Sequence, residues 1–184
     1  MQIVHLLQSD RTAVRQIANL LVEGFKQHWP SAWPDIESAL EEVQECSGPD
    51  KVSLIAIYED GTLLGWEAAA PQYDDHAWEL HPLVLHPDYR EVGIGRALVQ
   101  ELEREVCNRG AVTLYLGTDD EDNLTTLAAR DLYPNVLERL MDIKNLRGHP
   151  YELYHMLGFV VVGAIPDANG LGKPDNLMAK RLTG

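Results

Sequence analysis

The segment Trp78-Glu79-Leu80-His81-Pro82-Leu83 sets a carboxylate and an imidazole two residues apart. Alternate side chains of an extended strand share a face, so Glu79, His81 and Leu83 are expected on one side of a sheet. Such a pair can take a proton from an amine, directly or through water, and an amine must be neutral before its nitrogen can attack. Glu79 is the first choice for binding and deprotonating that amine. His81 comes second, either as a polar lining residue or as an ordinary half-buried histidine held by hydrogen bonds.

A second run is Arg90-Glu91-Val92-Gly93-Ile94-Gly95-Arg96, between a strand expected to end near Leu85 and a helix expected from Gly95. Glycines let a ligand come close to the backbone, and a helix start offers unpaired N–H groups and a positive dipole end. Together these can hold a pyrophosphate, and Arg90 and Arg96 add positive charge. Taken alone, two such glycines more often mark a turn than a phosphate cradle. A dinucleotide fingerprint would put a third glycine where Leu98 stands, and the Gly-Lys-Ser/Thr of a phosphate-loop NTPase is missing.

Four consecutive acids, Asp119-Asp120-Glu121-Asp122, follow Leu116-Gly117-Thr118. A run of this kind is usually a solvated loop. With Glu79 and Asp74-Asp75 it can instead form a basin for a ligand carrying several ammonium groups. At about 4 Å each such contact contributes roughly 1 kcal/mol in water, and more when sheltered. Asp119 and Asp122 are the candidates within the run. Trp29 and Tyr73 either stack on a sugar ring or pack in the core.

The elements that must position these groups are legible from periodicity. A strand is expected over 3–6. A helix from near Asp10 carries Val14, Ile17, Ala18, Leu21, Val22 and Phe25 on one face. A second helix after Asp35 turns Ile36, Ala39, Leu40 and Val43 inward and Glu37, Glu41, Glu42 and Glu45 outward. Strands over 52–58 and 63–70 flank Glu59-Asp60-Gly61-Thr62, which carries the Asp-Gly hairpin signal. A third strand is expected over 78–85, a helix over 95–108 that stops at Gly110, and a strand over 111–116. Helical segments are expected to fill 124–146 with a break near Pro134. A helix over 151–157 stops at Gly158, and strands over 159–164 and 177–182 follow. This is an α/β chain with a mixed sheet, read as a single domain over residues 1–184, with no repeat and no linker.

Fifteen Lys plus Arg against 29 Asp plus Glu give a formal net charge of −14. That field repels nucleic acid and anionic lipid and attracts cations. No apolar run approaches the roughly 20 residues that cross a bilayer, and the N-terminus lacks the pattern of a secretory signal. Cys46 and Cys107 have no metal-type spacing and read as free thiols in a reducing cytoplasm. No metal is expected.

Arg90-x-x-Gly93-x-Gly95, preceded by Leu83-Val84-Leu85-His86-Pro87, resembles the acetyl-CoA motif of the GNAT superfamily. The resemblance implies a GNAT fold in which the strand at Leu83, Val84 and Leu85 pairs with the pantetheine arm. It also implies that the amides from Val92 through Gly93, Ile94 and Gly95 to Arg96 hold the pyrophosphate. The Leu83 N–H would then polarise the acetyl carbonyl. In Tyr151-Glu152-Leu153-Tyr154-His155-Met156-Leu157-Gly158-Phe159, Tyr154 matches the GNAT tyrosine placed four residues before a helix-ending glycine. Its phenol would protonate the departing thiolate. The alternative is a packing tyrosine.

Pro71-Gln72-Tyr73, Trp78 to Leu83, Leu116 to Asp120 and His149-Pro150-Tyr151-Glu152 together look like one subgroup of aminoglycoside 6'-N-acetyltransferases. Ala168-Asn169-Gly170, Lys173-Pro174-Asp175 and Met178-Ala179-Lys180 extend the likeness, which is dense from about residue 65 onward. The subgroup implies direct acetyl transfer to the 6'-amine of an aminoglycoside, resistance to the drug, and a homodimer. Two other readings stay open: acetylation of a polyamine or protein amine, and a non-catalytic acyl-CoA-binding protein.

Overall fold

Asp10 turns its carboxylate onto the N–H groups of Thr12 and Ala13, at 3.1 and 3.0 Å, and so starts helix α1 (Arg11–Phe25). Asp35 does the same for α2 (Ile36–Glu45) through Ser38 N–H at 2.8 Å, which holds its carboxyl below the usual range. The computed structural model describes residues 1–26 and 29–182. In it the described residues divide into two units, those of 1–114 with 182, and those of 115–181.

In the first unit β1 (Gln2–His5), β2 (Val52–Ile57), β3 (Leu63–Gln72) and β4 (Ala77–Leu85) lie side by side in that order, each antiparallel to the next. The hairpin between β2 and β3 closes as its sequence demands. Gly61 takes φ +84°, and the Asp60 carboxylate accepts the Thr62 N–H at 3.0 Å. Ile17, Ala18 and Leu21 of α1 and Ala39 and Val43 of α2 are fully buried with Trp66, Ala68 and Val84 of the sheet. Full burial of each large apolar side chain here stabilises by roughly 1.5–3 kcal/mol. Helix α3 (Ile94–Asn108) buries Leu98, Val99, Leu102 and Val106, and Leu98 lies beside Gly65 and Leu85. Its end at Gly110, φ +93°, is the expected stop.

In the second unit β5 (Thr113–Asp119, its first two residues belonging to the first unit), β7 (Asp175–Arg181) and β6 (Val160–Ile165) lie in that spatial order, with β6 antiparallel to β7. Helix α5 (Tyr151–Met156) ends before Gly158, φ +90°. The expected helices over 124–146 are largely absent. Only α4 (Val136–Met141) forms there. Asp120 binds the N–H groups of Leu124 and Thr125, at 2.6 and 2.8 Å. Thr125 bridges to Asn145, and Leu146 N–H reaches Leu124 O at 2.8 Å. Backbone groups committed to these partners are not free to close helical turns.

Candidate active site

The loop before α3 is held open by its backbone. Glu91 and Gly93 have φ of +64° and +91°, and a Cβ built at Gly93 would meet nothing within 4 Å. Gly93 is the cap of α3 and no side chain bonds the helix start; the first intrahelical bond is Ala97 N–H to Gly93 O at 3.0 Å. The helix therefore begins at Ile94, one residue before the expected Gly95, and Gly95 is buried within its first turn. Arg90, Val92 and Arg96 are exposed around this end. An N-terminus with exposed flanks and two arginines suits an anion with several oxygens.

Strand β4 does not keep one alternation. Opposite it on β3, Glu67 pairs with Leu83 but Ala69 pairs with Leu80, so β4 holds one extra residue around His81 and Pro82. Such a bulge shifts side-chain parity. Glu79, opposite Ala70, and His81 keep to the α1–α2 side. Val84, opposite Trp66, lies on that side too, and Leu83, opposite Glu67, is turned to the α3 side. The expectation that Glu79, His81 and Leu83 share one face is thus corrected: only the first two do. Val84 is buried in the core, while Leu83 and Leu85 are part-exposed.

Glu79 is part-exposed. His81 is 56% exposed, and its Nε2 lies 3.7 Å from Glu42 Oε1. Glu42 also receives the Cys46 thiol on Oε1 at 3.1 Å and the Trp33 indole N–H on Oε2 at 3.4 Å. Glu42 was expected outward with Glu37, Glu41 and Glu45. It is 22% exposed and faces the sheet instead. The signal was available: Ala39, Glu42, Val43 and Cys46 follow the three- and four-residue steps of the buried stripe. Burial, reinforced by the hydrogen bond to Glu42, raises the Cys46 thiol well above its ordinary range, so it stays protonated and donates. Both cysteines are free.

Tyr73 is 78% exposed, at φ +51° in the β3–β4 turn beside exposed Asp74 and Asp75. It does not pack in the core. Trp29 is part-buried, its N–H bonded to Phe25 O at 2.8 Å.

In the second unit the four acids take different duties. Asp120 is fully buried and organises the following loop. Glu121 is paired with Lys173. Asp119 accepts a hydrogen bond from the Asn169 amide, and Asp122 is exposed. His149, quoted only as part of a motif, has a clear task. Its Nε2 meets Asp119 O at 3.1 Å, and its Nδ1 accepts Tyr151 N–H at 3.2 Å. Tyr154 is buried, its ring set edge-on to Phe159 with centroids 5.7 Å apart. Among the described residues no three His, Cys, Asp or Glu side chains gather as a metal site.

The α/β order of elements, the bulged β4 and the open loop before α3 define an acyltransferase fold, and the chain belongs to the acetyltransferase (GNAT) family, whose model matches residues 14–133. In the solved structures the chain is similar, at 41% identity over 100% of its length and 98% of the other's, to an aminoglycoside 6'-N-acetyltransferase complexed with coenzyme A, TM-score 0.90. It is 40% identical to the aminoglycoside 6'-N-acetyltransferase from Enterococcus faecium, covering 100% and 98% of the two chains, TM-score 0.88. A type Ii aminoglycoside 6'-acetyltransferase follows at 34%, covering 100% and 99%, TM-score 0.75. No curated protein matches. The loop at Gly93 fits coenzyme A in its chemistry: unpaired amides, a positive helix end and room where a Cβ would stand.

Proposed function

We propose that this chain, acting as one catalytic domain over residues 1–184, moves the acetyl group of acetyl-CoA to the 6'-amine of an aminoglycoside and so confers resistance. The observation that carries this reading is the likeness, over the whole chain, to aminoglycoside 6'-N-acetyltransferases at 41 and 40% identity. The exposed acids and the net charge of −14 support a substrate with several ammonium groups.

Acetyl-CoA supplies the activated thioester. The amides of Val92, Gly93, Ile94, Gly95 and Arg96, with the Arg90 side chain, receive its pyrophosphate; Leu83, Val84 and Leu85 border its pantetheine arm. Glu79 binds the amine and accepts or relays its proton as nitrogen bonds to the carbonyl carbon. The Leu83 N–H steadies the oxyanion. As the C–S bond breaks, the thiolate takes the Tyr154 proton. Asp119, Asp122, Tyr73 and Trp29 contribute to aminoglycoside binding.

The protein works as a cytoplasmic homodimer in this reading. No helix among the described residues is long and apolar enough to cross a membrane. Val160 and Val162 of β6 are more than half exposed, as in a face that a second copy covers. The test is acetyl-CoA turnover with kanamycin or tobramycin, and NMR of the product. A 6'-N-acetyl product is expected; no turnover above background with any 6'-amino drug sinks the assignment.

A further inference from the structure

His81 stands half in solvent, yet one of its ring nitrogens is engaged by another element. Nε2 lies 3.7 Å from Glu42 Oε1, longer than a hydrogen bond but close enough to feel the carboxylate charge, and the Trp33 ring is tilted beside the imidazole with centroids 6.3 Å apart. Glu42 is itself anchored by the Cys46 thiol and the Trp33 indole N–H. Two donors fixing one part-buried carboxylate beside an imidazole are more than a solvated helix-face glutamate needs.

A neutral imidazole carries its proton on one nitrogen, and the partner of that nitrogen decides which. The negative charge of an ionised carboxylate favours the proton on the nearer nitrogen, so Glu42 biases the ring to the Nε2–H form and Nδ1 keeps the lone pair. Among the described residues Nδ1 has no hydrogen-bond partner. We infer that Glu42 is a positioning residue: it fixes His81 in the Nε2–H form and leaves Nδ1 to receive the proton of the acceptor amine. The inference rests on the amine-acetylation reading above. As the amine nitrogen bonds to the acetyl carbon, its proton passes from the Glu79 side to Nδ1, directly or through water. The C–S bond breaks and the thiolate is protonated by Tyr154, so charge and atoms balance. The charged or titratable groups around the ring are Glu42 and Cys46 from α2 and Glu79 along β4; Trp33 is neutral.

The test is a double-mutant cycle with acetyl-CoA and kanamycin, joined to NMR. Glu42→Gln keeps the side-chain shape and removes its charge. It should lower kcat about tenfold, short of the roughly hundredfold or more that a group acting on the proton itself supplies, with KM for acetyl-CoA unchanged. The double variant Glu42→Gln/His81→Ala should be no slower than His81→Ala alone. Long-range 1H–15N spectra should show the His81 Nε2–H form in the wild type and a mixture of forms in Glu42→Gln. Additive losses in the cycle, or a wild-type ring protonated on Nδ1, would overturn the inference. The wild-type spectrum needs no variant to fold. Should the wild type acetylate no amine, the functional reading fails, and the ring's tautomer still tests the Glu42–His81 pairing.

Discussion

The buried ring of His149 joins two stretches of chain: Nε2 donates to the Asp119 carbonyl at 3.1 Å, while Nδ1 accepts the Tyr151 N–H at 3.2 Å. Both nitrogens are committed only if the imidazole is neutral, and burial holds its pKa below the ordinary 6.5. The end of β5 and the start of α5 are thereby tied to one uncharged group.

Because the folded pKa of His149 is lowered, the unfolded chain binds its proton first as pH falls. The contribution of His149 to stability is complete above about pH 6.5 and drains away below it. His149→Ala should cost about 2 kcal/mol at pH 7.5, the cost of orphaned buried partners, and less at pH 5. Urea unfolding at the two pH values measures this. An equal cost at both would contradict a neutral buried ring.

Glu67 is the opposite case. It is fully buried on β3, and neither carboxyl oxygen has a hydrogen-bond partner among the described residues. Burial, and secondarily the charge of Glu103, raise its pKa well above the ordinary value. A raised folded pKa gives stability that is present below the unfolded pKa and lost as pH rises through the folded one. Glu67→Leu should therefore stabilise by about 1–3 kcal/mol at pH 8, the cost of an unpaired buried polar group, and by less at pH 5. Thermal melts across that range check it, and a destabilised variant at pH 8 refutes it.

Gly93 needs its glycine for backbone rather than space. With φ +91° and an open surrounding, alanine meets no clash but must adopt a disfavoured conformation, at about 1–2 kcal/mol. If the loop relaxes instead, the amides move. Gly93→Ala should raise KM for acetyl-CoA roughly tenfold, the equivalent of about 1.4 kcal/mol, and leave KM for the amine unchanged. Steady-state kinetics with each substrate varied in turn separates the two.

Asp120 acts as an anchor rather than a substrate ligand. Its two oxygens hold Leu124 and Thr125 N–H, so Asp120→Ala should destabilise by about 1–3 kcal/mol. Asp122→Asn, which removes one charge from an exposed side chain, should weaken aminoglycoside binding and lower stability less than Asp120→Ala does. Melting temperature and KM for kanamycin, measured on both variants, should move in this crossed pattern.

Much of the fold was legible because its strands and helices carry simple periods. The stripes of α1 and α3, the Asp-Gly hairpin and the glycine stops at 110 and 158 all specify their elements locally. The bulge at His81 and Pro82 was not legible. An inserted residue leaves the hydrophobic alternation of β4 intact, because buried residues cover both faces of the strand, and only pairing with β3 reveals the shift. The inward turn of Glu42 was hidden because a charged residue in an acidic helix reads as solvated, and its partners Trp33 and His81 come from other segments. The 124–146 stretch has helical residues, but its ends pair with each other instead, Thr126 N–H on Lys144 O and Leu146 N–H on Leu124 O. Among the acids at 119–122, sequence shows four like charges. The contacts of Asp119, Asp120 and Glu121 show that three of them hold neighbouring side chains or backbone.

The most direct test of the central claim is a product assay. Purified protein is given acetyl-CoA and tobramycin, thiol release is followed, and the acetylated nitrogen is located by NMR. The account predicts one acetyl group on the 6'-nitrogen and free coenzyme A in equal amount. Thiol release no faster than the protein-free reaction, or acetyl on another amine, would contradict it.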